Sequence, residues 1–118
     1  MPVLARLFEA GGIATVVVTN MPFWAERVGV PRTLAVEFPF GHPLGAAHDR
    51  QMQRRVILAA LDLLERATAP GMIQDFPEPW PGTVAEGRRA SEPRIPAPIT
   101  AQMGRHIGKF LRGMRRSG

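Results

Sequence analysis

The stretch VGVPRTLAVEFPFGHPLG, residues 28–45, joins a turn, a short apolar run and a loop rich in glycine and proline. The apolar run at 33–38 contains threonine, valine and phenylalanine, which favour strands. In the loop that follows, at 39–47, Gly41 and Gly45 permit positive φ angles while two prolines stiffen the chain. A strand that ends in such a loop before a helix is typical of an α/β layer structure.

The residues before this stretch predict two helices around a buried strand. Residues 3–10 place their apolar side chains on one face of a helix, which a glycine pair then ends. The run IATVVVT at 13–19 does not alternate with polar residues, so we expect a strand buried on both faces, as in parallel sheets covered by helices. Pro22 and Gly29 delimit a short helix between the two strands.

The residues after the stretch begin with the longest predicted helix, at 49–68, whose apolar stripe consists of Val56, Ala60, Leu63, Leu64 and Ala67. Residues 72–73 are a possible third strand. Prolines around Trp80 exclude regular structure there, and we expect the indole to plug the core, with a stacking platform for a ligand as the less expected alternative. This order predicts an α/β fold: a small open parallel sheet of two or three strands with flanking helices, part of a doubly wound domain.

Three segments are expected along the chain. Residues 1–80 form the α/β domain, and residues 81–98, polar and rich in proline, run as an extended linker. Residues 99–118 carry a basic amphipathic helix over 99–114. Three glycines weaken this helix, so it needs a surface to pack against.

Composition limits the chemistry. The chain has 118 residues, 45% of them apolar, and no cysteine, so disulfides, a thiolate nucleophile and cysteine-bound metal are excluded within it. No window is long enough to span a bilayer, and the first residues lack the pattern of a signal peptide. We therefore expect a cytoplasmic protein that does not bind membranes.

The positive charge lies in the last segment. Residues 1–98 hold ten basic and ten acidic side chains, so the net charge of +5 comes from Arg105, Lys109, Arg112, Arg115 and Arg116. These cations could bind an acidic partner, either a protein or, less expected, nucleic acid. The favoured alternative is a helix that docks its apolar face on the fold or on a second subunit and leaves its charges in water.

The loop at 39–47 is the first candidate site, because ligands bind at the carboxyl edge of open α/β sheets. His42 could act as an acid or base, oriented by Glu37 or Asp49, and the amides that open the next helix favour an anion. The competing interpretation is a tight turn in which His42 only hydrogen-bonds the backbone. Arg32 could neutralise a substrate carboxylate, although a solvated turn arginine is commoner.

A metal site is a weak alternative. His42 and His48, with Glu37 or Asp49 as a third ligand, are six residues apart across a loop, a spacing that matches no metal motif. We predict neither a metal nor another cofactor.

The run FEAGGIATVVVT followed by VGVPRTLAVEFPFGHPLG and a leucine-rich helix resembles the selenoprotein B subunit of glycine, sarcosine, betaine and D-proline reductases. The matching parts, over residues 3–68, are Glu9 with Gly12-Ile13, Val28-Gly29 with Arg32, and His42-Pro43-Leu44-Gly45. The resemblance implies a reductase in which a selenocysteine or cysteine attacks the substrate, an amine or other group leaves, and thiols restore the enzyme.

The chain departs from that family in its nucleophile. In the family the selenocysteine–cysteine segment directly precedes the helix that begins here at about Val3, and this chain has no cysteine. We expect the nucleophile upstream of Met1 on a longer product or on a partner chain, with loss of the chemistry as the remaining possibility. A homo-oligomer is also expected. The resemblance implies that His42 donates a proton to the substrate or positions it. It also implies that Arg32, Gly41 and Gly45 bind the substrate at the edge of the sheet where the nucleophile lies.

Overall fold

The computed structural model describes residues 1–91 and residue 107. The elements, in chain order, are α1 (Pro2–Ala10), β1 (Val17–Thr19), α2 (Pro22–Val28), β2 (Arg32–Ala35), α3 (Arg50–Arg66), β3 (Met72–Asp75) and α4 (Val84–Ser91). Within the described residues each predicted strand and helix is present; the second strand is shorter than the predicted 33–38, and the third is longer than the two residues expected.

The three strands form one parallel sheet in the order β1-β2-β3. Val18 is in register with Leu34, and Leu34 with Gln74. Each strand is joined to the next through a helix, as parallel pairing requires. The predicted α/β fold with a small open parallel sheet is therefore confirmed.

Helices cover both faces of the sheet. Leu34 and Val36 point to the face where α3 packs Met52, Val56 and Leu63, and these residues form the main core. On the other face, α1 and α2 pack Ala5 and Ala25 against Val17 in a smaller core. The connections from β1 to β2 through α2 and from β2 to β3 through α3 both move one strand in the same direction across the sheet. Because α2 and α3 lie on opposite faces, these two connections have opposite hands. Right-handed connections predominate in proteins, which makes this arrangement unusual.

The first strand is shorter than predicted, and the expectation that it is buried on both faces is wrong for its early part. Ile13 is 58% exposed, and regular pairing starts only at Val17. The physical reason is a competing bond: the Thr15 amide donates to the Glu9 carboxylate at 2.5 Å, and the Thr15 hydroxyl donates to the same oxygen at 2.9 Å. This turn returns α1 to the sheet and leaves only three residues to pair.

The fourth helix corrects the expectation of an extended linker over its residues. Thr83 caps α4: its amide and hydroxyl donate to Glu86 Oε2 at 2.7 and 3.0 Å, and the Glu86 amide donates back to Thr83 Oγ1 at 3.2 Å. This is a capping box, a signal visible as Thr-Val-Ala-Glu in the sequence. The rest of the expected linker and the basic helix over 99–114 lie outside the described residues.

Helix length bears on the membrane question. The longest helix in the described part of the chain, α3, has 17 residues and is charged, and no helix there has the length and hydrophobicity needed to cross a bilayer.

Candidate functional site

The segments that leave the carboxyl ends of the three strands meet at one edge of the sheet. After β1, the Asn20 amide donates to the backbone carbonyl of Phe38 at 3.1 Å, which ties the first of these segments to the second. After β3, Glu78 accepts two hydrogen bonds from Arg55 of α3, each 2.7 Å long. The side-chain hydrogen bond from Arg55 lowers the pKa of the Glu78 carboxyl from its ordinary value. Both contacts fix the loops that frame the site.

An aromatic cluster fills the space between these segments. The ring of Phe38 lies edge-on to Phe76 and to Trp80, with centroids 5.9 and 6.1 Å apart. The His42 ring lies 5.6 Å from that of Trp80. Trp80 packs on the main core, as expected, although its chain segment has no regular structure.

A groove of about 530 Å³ opens beside this cluster, between the loop after β2 and helix α4. Among the described residues its lining is mostly apolar, from Pro39, Phe40, Trp80 and Val84, with two charged side chains, Glu37 and Arg88. Such a surface, apolar with a few polar groups, is typical of small-molecule sites. Glu37, which interrupts the apolar run of the second predicted strand, lies just after the end of β2 and places its carboxylate in this lining.

A second cleft of about 350 Å³ lies on the same edge and shares Glu37 with the groove. Asn20 and Asp75 line it, together with Val36 and Phe76. Glu37 thus stands between two concave surfaces, one reaching α4 and the other reaching the ends of the first and third strands.

Helix α4 reaches the groove through a glycine. Gly87 is buried, and a Cβ there would stand 3.3 Å from Pro39 Cγ and 3.5 Å from Trp80 Nε1. The absence of a side chain lets the helix approach both residues closely. Trp80 Nε1 is buried without a hydrogen-bond partner in the described structure.

The loop glycines have different surroundings. Gly41 has a φ of +85° and open space around it, whereas Gly45 has a φ of +106° and a Cβ there would stand 2.8 Å from Met52 Sδ. Gly45 is buried beneath the start of α3. Its conformation and contact explain why glycine stands there, and neither glycine lines the groove.

The expected anion position at the start of α3 is already filled. Asp49 caps the helix, and its Oδ1 accepts from the Met52 amide at 3.0 Å. A carboxylate of the chain itself thus takes the place that an external anion would occupy. His48, just before the cap, is exposed and has a positive φ of 66°.

The structure does not bring Arg32 and His42 together. Arg32 opens β2, so it lies at the amino edge of the sheet, while the His42 loop follows the carboxyl end of the same strand. The Arg32 guanidinium binds Glu9 Oε1 at 2.7 Å and the Thr15 carbonyl at 3.5 Å. The expectation of a shared edge is wrong for Arg32, because the residue before a strand and the loop after it are at opposite ends.

The Glu9 carboxylate is the centre of this second cluster. The backbone N–H of Thr15, and then its hydroxyl and the Arg32 guanidinium, hold the pKa of Glu9 below its ordinary range against the opposing effect of desolvation. The cluster ties the end of α1 to the start of β2, which is a structural role.

The remaining predicted residues are placed as follows. His42 is half-buried against Trp80 and does not line the groove. The five C-terminal cations are outside the described residues. Within residues 1–91 and 107, no group of three or more histidine, cysteine, aspartate or glutamate side chains could hold a metal ion.

Sequence reasoning ranked Trp80 as a core plug ahead of a stacking platform and gave Arg88 no role, although both line the groove. The Thr-Val-Ala-Glu capping box at 83–86 could have revealed the helix that carries Arg88. No local signal shows that this helix returns to the loop after β2, because that contact joins residues far apart in the chain.

No protein-family model, no curated protein and no solved structure matches this chain.

Proposed function

We propose that this chain is a subunit, or a part, of a cytoplasmic reductase related to selenoprotein B, which supplies the scaffold and the substrate side of an active site. The observation that carries this proposal is the groove at the carboxyl edge of the sheet, whose lining in the described part of the chain is mostly apolar and includes the charged Glu37 and Arg88. The reaction class comes from the resemblance over residues 3–68. The redox nucleophile comes from another segment or a partner chain, because this sequence has no cysteine.

The charges of the groove suit a small amino acid. In this proposal the Glu37 carboxylate binds the substrate's ammonium group, and the planar Arg88 guanidinium binds its carboxylate. The faces of Trp80 and Phe40 favour N-methylated ammonium groups through cation–π attraction. The His42 ring lies 5.6 Å from that of Trp80, which lines the groove, so we assign His42 to positioning that indole.

The binding test is an NMR titration of the full chain with glycine, sarcosine, betaine and D-proline. We expect saturable shifts of backbone signals around Glu37 and Arg88 with at least one of these compounds. Glu37→Gln and Arg88→Met should each weaken binding. Glu65→Gln and Arg54→Met, at exposed positions of α3, are the matched controls and should not. No saturable shift with any compound, or equal binding by the groove variants, contradicts the proposal.

The partner test is the mass of the native protein and of the chains that co-purify with it. A heavier product, or a bound chain with a thiol or selenol, supports the reductase interpretation. A 12.9 kDa chain without such a partner contradicts it. The alternative is then a noncatalytic scaffold that binds an acidic partner through residues 99–118, for which binding should fall steeply with salt.

A further inference from the structure

The first thirteen residues carry an uncovered apolar surface. Six large side chains there are between 45% and 82% exposed: Met1, Val3, Leu4, Leu7, Phe8 and Ile13. We call this set the α1 face. Only Ala5 of α1 is buried in the fold, so the helix presents most of its apolar residues outward. A groove of about 360 Å³ between α1 and β1 continues this surface toward the sheet.

The α1 face has no free charged side chain. Arg6 Nη1 donates to the Val28 carbonyl at 3.1 Å, and Glu9 is held by Thr15 and Arg32. The Met1 ammonium and the Arg6 guanidinium remain cationic beside these side chains, so the attraction between two copies has to come from burial of apolar surface and not from charge complementarity. The two rows Val3–Leu7 and Leu4–Phe8 are each spaced four residues apart, which suits packing against a second helix.

The outer edge of β1 adjoins this surface. β1 pairs with β2 on one side, and no other segment of the described chain pairs with it on the other. Unpaired edges are places where a second chain can extend a sheet. The edge and the α1 face therefore form one continuous candidate interface.

We propose that the α1 face is the two-fold interface of a homodimer, with α1 of one protomer packed against α1 of its partner. Five of the six side chains are smaller than an aromatic one, so at about 150 Å² each, the low end of the aromatic range, their exposed fractions correspond to roughly 540 Å² per copy. A biological interface should bury at least about 500 Å² per partner and a standard one about 800 Å², so the face reaches the minimum and the adjoining β1 edge has to supply the rest. Two-fold symmetry is the commonest arrangement of identical subunits. This inference is independent of the proposed function.

The test is the solution mass of the full chain, measured by sedimentation equilibrium over a range of concentrations. We expect twice 12.9 kDa for the wild type. Leu7→Glu, at 63% exposure on the α1 face, should raise the dimer dissociation constant about 100-fold. Leu61→Glu, at 52% exposure on α3, is the matched control and should leave the dimer intact.

A second measurement covers the case in which Leu7→Glu does not fold. Because the chain has no cysteine, Leu7→Cys introduces a single thiol that a short bifunctional maleimide links only across an interface. Cross-linked dimer with Leu7→Cys, and none with Leu61→Cys, supports the proposal. A monomeric wild type, a dimer that high salt dissociates, or equal cross-linking of both variants overturns it.

Discussion

The contact between Gly45 and Met52 gives a quantitative prediction about the loop that leads into α3. In Gly45→Ala, the new Cβ would stand 2.8 Å from Met52 Sδ and 2.9 Å from Met52 Cγ. Met52 is only 4% exposed, so it cannot move aside freely. A positive φ costs a non-glycine residue about 1–2 kcal/mol, and overpacking a core costs about 1–3 kcal/mol. We expect the free energy of unfolding to fall by about 2–5 kcal/mol.

Urea unfolding followed by far-ultraviolet circular dichroism measures this loss, with Gly41→Ala as the matched control. Gly41 has a similar positive φ of 85° but no atom within 4 Å of its virtual Cβ, so it should lose only about 1–2 kcal/mol. In a double-mutant cycle, Gly45→Ala should cost less in a Met52→Ala background, because the crowded atoms are gone. Equal losses at the two glycines, or no coupling to Met52, would refute the argument that packing rather than φ alone selects glycine at 45.

Three further predictions concern other parts of the fold. Leu63→Ala, at a fully buried position of α3, should lower the free energy of unfolding by about 2–5 kcal/mol. Leu61→Ala, at a half-exposed position of the same helix, should change it by about 0.5 kcal/mol or less. The same urea titration measures both losses. The folded state lowers the pKa of Glu9 from 4.5, so the stability that its carboxylate contributes is present above that pH and is lost as the pH falls through the lowered pKa. Glu9→Gln should therefore flatten the acid limb of a curve of unfolding free energy against pH. An unchanged acid limb would rule this out. Gly87→Leu should undock α4 and speed amide hydrogen exchange over 84–91, since a helix of eight residues is marginal by itself. Ala85→Leu, at an exposed position of the same helix, should leave the exchange rates unchanged. Equal exchange rates in the two variants would contradict docking through the glycine.

Part of the candidate site was accessible from the sequence. The loop after β2 was predicted at the carboxyl edge because strand, loop and helix follow one another directly, and Glu37 was recognised as the residue that interrupts the strand. The sequence did not predict that Arg32 lies at the opposite, amino edge of the sheet, because the expected role of Arg32 was based on its chemistry and not on its place at the start of β2. Trp80 and Arg88 join the groove through contacts across forty residues or more, and no local pattern encodes those.

The sequence by itself determined the local elements. The apolar stripe of α3, the β-branched run of β1 and the glycines after α1 and α2 act over one or two turns of chain, so their effects can be seen in short windows. The tertiary structure decided everything that depends on distant partners. The Glu9 carboxylate, held by Thr15 and Arg32, shortened β1, and packing placed α2 and α3 on opposite faces of the sheet. The reason is that a hydrogen bond or a packed core joins residues whose separation along the chain carries no information about their separation in space.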